Sequence, residues 1–294
     1  MNSYYFNHIS SMLIIIGTVF CVFLYYTISK NIVDTIAVSG ILTFGIVHGA
    51  NDLLLINKTT NTTKSILTQF FIYLTLVLLF FIFFYSIPSL ALITFVILSS
   101  YHFGEHQWTL FEKTNNYIIK ILYLSYGLLI FSILFYFNFK EVSVIIKDIT
   151  DQSLDFTFFK NLLIFSSLTT LIISIKLFEH LRNQLLIQIF LLIIFLITVY
   201  FTNLLMSFAI YFVLWHSLPS ILEQSKFLFG SSERTHLKIY LKKASLYWIL
   251  SILGLIVTYY IFKDSQSQLL SIFFSFLAAI TFPHTFVISK IKKP

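Results

Sequence analysis

Long apolar runs alternate with short polar clusters along this chain. The runs are about 20 residues long, the length at which an α-helix crosses a hydrocarbon core. Strand-like alternation of apolar and polar positions is absent, which argues against a membrane β-barrel. Cutting the chain at its polar clusters predicts about ten helices, at 10–29, 34–57, 65–86, 89–110, 118–138, 159–176, 183–201, 204–225, 243–262 and 267–289. The pattern specifies an all-α, polytopic transmembrane helix bundle. No repeat, low-complexity tract or long linker interrupts it, so residues 1–294 read as a single integral-membrane domain.

Composition agrees. A chain that is 58% hydrophobic and 11% charged, with a mean hydropathy of +0.89, is not an ordinary soluble fold. The formal charge of +7 would invite a nucleic-acid reading if the basic residues formed a patch, but they are scattered between apolar spans. Topology accounts for them better. Most of the nineteen Lys and Arg fall on one side of the predicted bundle, leaving Lys30, Lys140, Lys147, Lys160 and Lys263 on the other, beside the acidic loop around Asp148, Asp151 and Asp155. The positive-inside rule then makes both termini cytoplasmic. The N-terminal stretch lacks the basic region of a cleavable signal, so 10–29 is read as a first membrane helix. The lone Cys21 has no partner for an internal disulfide.

With this topology, four outside-to-inside helices each carry a histidine in the cytoplasmic half: His48, His102, His216 and His284. Each lies about 6 to 9 residues from the cytoplasmic end of its helix, or about 9 to 13 Å at 1.5 Å per residue, so the four can share one layer. His106 is one turn nearer the cytoplasm, whereas His8, His180 and His236 fall in the N-terminal tail or in loops. A single intramembrane histidine is as readily an interhelical hydrogen bond as a ligand. Several at one depth point to a metal or a proton role, because neutral imidazole is the commonest ligand for iron, copper and zinc.

Local context sharpens the candidates. In FGIVHGANDLLL, His48 sits within the Gly45-x-x-x-Gly49 pair, and Asp52 follows one turn later, placed to orient an imidazole or to snorkel to the interface. In SSYHFGEHQW, Glu105 and His106 stand three and four residues after His102 and can share its helix face. Pro219 follows His216 in YFVLWHSLPSILEQ, and Pro283 precedes His284 in AITFPHTFVISK. Helix-interrupting prolines there fit a cavity, although membrane helices commonly carry them. Tyr211, Trp215, Phe44, Phe103 and Phe282 lie near the histidines in sequence and are candidates to line it. No lysine lies deep in a span, which argues against a rhodopsin-like Schiff base, and no nucleotide-binding fingerprint occurs.

The ordered blocks VHGANDLLL, YHFGEHQW, LWHSLPS and FPHTFV resemble the Brp/Blh family of bacterial membrane β-carotene 15,15′-dioxygenases, over nearly the whole chain from His48 to His284. The resemblance implies a multi-pass protein of the bacterial inner membrane that uses iron(II) and O2 to cleave the central double bond of β-carotene into two molecules of all-trans-retinal. It implies no nucleic-acid partner, and retinal of this origin commonly serves a microbial rhodopsin. By position, His48, His102 and His216 match metal-ligand sites. The third block departs from the family pattern, in which a second histidine follows four residues after the first; here Ser220 stands in that place. His284, or else His106, then completes the ligand set, or three imidazoles suffice. Asp52, Glu105, His106 and Ser220 are the candidates to hold or orient the ligands. Two other classes remain open on the residues alone: a transporter or channel that relays protons or a metal ion through the same His, Asp and Glu side chains, and a haem protein with two axial histidines.

Overall fold

The computed structural model describes residues 2–60, 65–109, 117–262 and 269–290. Among them every regular element is a helix, and no strand occurs. In chain order the helices are α1 (Asn2–Thr27), α2 (Lys30–Gly40), α3 (Asp52–Thr60), α4 (Ile66–Ser86), α5 (Pro88–Thr109), α6 (Tyr117–Phe137), α7 (Phe139–Thr150), α8 (Phe156–Lys176), α9 (Phe178–Phe201), α10 (Leu204–Ala209), α11 (Leu218–Phe229), α12 (Arg234–Phe262) and α13 (Leu269–Lys290). Two wide, π-helical stretches interrupt the α-geometry, Ile41–Gly45 after α2 and Ile210–Ser217 between α10 and α11. Helices suit these apolar sequences because hydrocarbon offers no partner to a backbone amide, and a helix satisfies its amides internally. Several starts are set by side chains: Ser65, Asp155 and Asn203 accept the backbone N–H of Thr68, Phe158 and Met206 at the heads of α4, α8 and α10.

Among the described residues, seven helices are long and apolar enough to cross a membrane: α4, α6, α8, α9, α12, α13 and the continuous Leu204–Phe229. The protein is therefore a membrane protein. Exposed Ile, Leu and Phe along α4, α8, α9 and α12 are the lipid-facing surface expected of such spans. Three expectations change in detail. The predicted span 34–57 is not one helix but α2, a π-helical stretch, a run of tight turns at 48–51 and α3. The acidic loop after α6 contains the amphipathic helix α7, with Val142, Ile146 and Ile149 at four- and three-residue spacing along one face. His180 and His236, expected in loops, lie in the first turns of α9 and α12. Lys64, Lys113, Lys263, Lys292 and Lys293, used in the charge assignment, lie outside the described residues, as do position 110 of the fourth predicted span and positions 267 and 268 of the last.

The chain forms two compact units, each assembled from three stretches of sequence. The first comprises Met1–Ile41, Ser100–Val142 and Leu154–Pro219. Its centre is α6, packed along α8 and against α9 and α10, with Leu122, Ile130, Ile133, Phe159 and Phe195 buried. Ser132 and Ser166 share a hydrogen bond of 2.7 Å where α6 meets α8, the small-residue contact favoured between membrane helices. The end of α5 lies still closer to α6. A Cβ on Gly104 would overlap the backbone carbonyl of Tyr123, and one on Gly127 would overlap that of Ser100. Only glycine permits this approach from either side.

The second unit comprises Leu42–Ser99, Ser143–Ser153 and Ser220–Pro294. In it α13 packs against α3, α4 and α12. Small residues Ala278 and Ala279 let the Phe80 and Phe282 rings stack at 3.8 Å. Lys58 donates to the carbonyls of Phe227 and Leu228 at the end of α11, which would otherwise be bare helix acceptors.

Candidate metal centre

In the first unit, the last two turns of α5 and the π-helical stretch 210–217 supply the polar residues. His102 and His216 are 4% and 2% exposed, and their Nε2 atoms lie 3.2 Å apart. His106, one turn further along α5, brings its ring centroid to 4.7 Å from that of His216. Aromatic rings enclose the group: Phe103 lies 4.8 Å from the His216 ring, stacks on Phe131 and meets Tyr211 edge-on. Trp215, beside His216, faces away and donates its Nε1–H to Thr18 of α1 at 2.9 Å. The π-helical geometry is itself held by a side chain, since Ser217 donates to the carbonyl of Phe212 five residues back. Such wide turns cost backbone regularity and occur disproportionately at functional sites.

In the second unit, His48 follows the other π-helical stretch. Its Nδ1 bonds to the carbonyl of Gly45, which makes Nδ1 the protonated nitrogen and leaves the lone pair on Nε2. Its ring meets that of His284 edge-on at 4.7 Å. Gly49 allows that neighbour, because a Cβ there would sit 3.4 Å from His284 Nδ1. His284 in turn donates Nδ1–H to Asp52 Oδ1 at 2.8 Å, and Tyr73 of α4 donates its hydroxyl to Asp52 Oδ2 at 2.8 Å.

Asp52 thus orients an imidazole, but that of His284 on α13 and not that of His48, four residues earlier. The reason is local. After the π-helical stretch, Gly49, Ala50 and Asp52 make tight bonds back to Ile46, Val47 and Gly49, so His48 and Asp52 do not share one straight helical face. Ser220 accepts a hydrogen bond from Gln224 Nε2 at 2.9 Å; Gln224 Oε1 accepts from Tyr240 at 2.8 Å, whose hydroxyl also reaches the carbonyl of His48 at 3.2 Å. Asn51 donates to the Tyr240 carbonyl at 3.0 Å. Glu105 is half-buried on α5, Phe44 is 44% exposed, and Phe282 belongs to the stack with Phe80. Sequence reading missed Tyr73, Gln224 and Tyr240. The signal available was weak: Gln224 stands four residues after Ser220, but Tyr73 and Tyr240 lie far in sequence from all four histidine blocks, in a chain with 17 Tyr.

The donor chemistry suits a transition metal. His48, His102 and His216 are each buried and each offers a ring nitrogen of the kind that could hold a metal ion. Imidazole nitrogens suit iron, copper and zinc, whereas Ca²⁺ and Mg²⁺ prefer oxygen. Metal–nitrogen bonds of about 2.0–2.1 Å place two ligand nitrogens about 2.8–3.0 Å apart at a right angle and about 3.3–3.4 Å apart at the tetrahedral angle. The separation of 3.2 Å between His102 and His216 falls between these values. Carboxylate or carbonyl partners on the Nδ1 atoms of His284 and His48 are the supports that metal-ligating histidines usually have.

No curated protein and no solved structure matches the chain. The family model for beta-carotene 15,15′-dioxygenase matches residues 39–292, a span that holds both π-helical stretches and His48, His102, His216 and His284. On that match, the chain belongs to the beta-carotene 15,15′-dioxygenase family.

Proposed function

We propose that the protein is an iron(II)- and O2-dependent dioxygenase that cleaves the central double bond of β-carotene into two molecules of all-trans-retinal, with His48, His102, His216 and His284 as the metal ligands. Family membership supports a carotenoid 15,15′-dioxygenase activity in general. The observation that carries the reading to this chain's own residues is the buried His102–His216 pair, spaced for a shared metal and walled by aromatic rings. On this reading the seven evident spans are joined by α1, the interrupted α2–α3 segment and α5, making about ten crossings of a bacterial inner membrane with both termini cytoplasmic and both units working as one domain.

Iron(II), when bound, supplies the binding and reduction of O2, which the polypeptide lacks the chemistry to do. The protein's contributions are separable. Neutral imidazoles hold the cation without adding charge. Asp52 and the Gly45 carbonyl fix the tautomers of His284 and His48. Phe103, Phe131 and Tyr211 keep the neighbourhood of His102 and His216 dry and apolar, as a hydrocarbon polyene requires. β-Carotene is dissolved in the bilayer, so a lipid-embedded enzyme takes it laterally. The reaction balances without a further reductant: one C=C bond and one O2 become two aldehydes. A microbial rhodopsin is a natural consumer of the product.

The test is retinal, measured by chromatography in a bacterial host that accumulates β-carotene, with the protein and with its His102→Ala variant. Retinal formed by the unmutated protein and lost by at least 100-fold in the variant, at equal membrane levels, supports the reading. Undiminished retinal in His102→Ala would sink the ligand assignment. Consumption of β-carotene without retinal would move the cleavage to another bond.

A further inference from the structure

Within the second unit the carboxylate of Asp52 is held at both ends. Oδ1 takes the Nδ1–H of His284 and Oδ2 takes the hydroxyl of Tyr73, both at 2.8 Å. Asp52 and His284 are each 2% exposed. A carboxylate with one partner can rotate about its Cβ–Cγ bond and still satisfy that partner; with two fixed partners on separate helices it cannot. Its three members come from three elements, α3, α4 and α13, so the arrangement depends on the packing of α4 against α13. Tyr73 is otherwise unremarkable in sequence, one aromatic residue in the apolar run of α4.

We propose that Tyr73 is a positioning residue for the metal centre: by holding Oδ2 of Asp52 it fixes the plane of the carboxylate, and through Oδ1 the rotation of the His284 ring. The inference rests on the reading of His284 as a metal ligand. Groups that orient a ligand imidazole typically change metal affinity by about 10- to 100-fold when removed. Asp52 belongs in that range, and Tyr73, one bond further out, belongs at or below its lower end. The two contributions are not independent. Once Asp52 is replaced, the Tyr73 hydroxyl has no carboxylate to hold, so its own removal should then have no further effect.

The experiment is titration of the purified, metal-depleted protein in detergent with Co²⁺, following the visible ligand-field bands as well as affinity. Four chains are compared: unmutated, Tyr73→Phe, Asp52→Asn and the double variant, with Thr75→Val as a control that removes another hydroxyl from α4. Tyr73→Phe keeps the ring and its packing. The expected result is an approximately 3- to 10-fold weaker affinity with altered ligand-field bands for Tyr73→Phe, a 10- to 100-fold loss for Asp52→Asn, a double variant no weaker than Asp52→Asn, and an unchanged control. Affinity and spectrum equal to those of the unmutated protein in Tyr73→Phe, or strictly additive losses in the double variant, would overturn the role of Tyr73 and leave the metal centre standing. An unmutated protein that binds no Co²⁺ would overturn both, so the two failures are distinguishable.

Discussion

Replacing Gly104 with alanine adds one carbon atom at the point where α5 and α6 touch. That Cβ would meet the carbonyl oxygen and carbon of Tyr123, with the Tyr123 Cα at 3.0 Å as well. All three are backbone atoms, so no side chain can rotate aside, and relief requires the two helix axes to part by about 1 Å or more. Overpacking of this kind costs roughly 1–3 kcal/mol where side chains can adjust, and a backbone collision belongs at the upper end. At 2–4 °C per kcal/mol, a loss of about 3 kcal/mol lowers the unfolding midpoint by about 6–12 °C.

The functional loss should exceed the stability loss. His102 lies two residues before Gly104 on the same helix, and a displacement of about 1 Å at a reacting centre can cost about 100-fold in rate. Thermal unfolding in detergent reads the first effect and retinal formation in the carotenoid-accumulating host reads the second. Gly127→Ala, the reciprocal contact against Ser100, should give the same shift in midpoint. Gly254→Ala is the matched control: its Cβ would stand 3.6 Å from the Phe276 ring, an ordinary contact, so it should be neutral or stabilising by about 0.4–1 kcal/mol. If Gly104→Ala unfolds within 2 °C of the unmutated protein (against an expected drop of about 6–12 °C) and makes retinal normally, then the α5–α6 contact does not set the position of His102, and the reasoning fails.

Two further substitutions separate the roles of the polar groups near His48. Ser220→Ala removes an acceptor of the Gln224 amide and should cost about 1 kcal/mol, with bound metal per protein unchanged; metal loss equal to that of His216→Ala would instead identify the hydroxyl as a ligand. Tyr240→Phe takes the donor from both Gln224 Oε1 and the His48 carbonyl. It should lower stability by about 1–3 kcal/mol, because buried acceptors are left behind, and an unchanged unfolding midpoint would show that those bonds are not made in the folded protein.

The parts of this molecule legible in the sequence are those that depend on composition over 20 residues. The long spans α4, α6, α8, α9, α12 and α13 follow from apolar runs, and a buried histidine follows from the expense of any ionisable group in lipid. The partnership of Asp52 with an imidazole was also legible, but the choice of imidazole was not. Straight-helix spacing assigns Asp52 to His48; a wide turn followed by tight ones moves it to His284. No residue type marks a π-helical stretch, since its cause is the packing and side-chain bonding around it. Tyr73, Gln224 and Tyr240 were illegible for a related reason. They act through single hydroxyl or amide atoms on otherwise apolar faces, and their partners lie far off in sequence.

The wide turns explain more than the placement of two histidines. A π-helical stretch shifts the backbone hydrogen-bonding pattern, and in hydrocarbon every carbonyl it leaves needs another donor. Here side chains supply them: Ser217 to Phe212, Trp248 to Leu42, and His48 to Gly45. The last of these does two things at once, since satisfying the Gly45 carbonyl also fixes which nitrogen of His48 carries the proton. His284 reaches the same tautomer by another device, a carboxylate in place of a carbonyl. The devices differ in charge. A carbonyl is neutral, whereas Asp52 places a carboxylate where it is 2% exposed, next to an imidazole and a phenol, both formally neutral. Such a charge is costly to bury without a compensating cation. On the proposed ligand set, a metal ion held by His284 would be that cation, so the buried carboxylate fits the reading of this ring as a ligand.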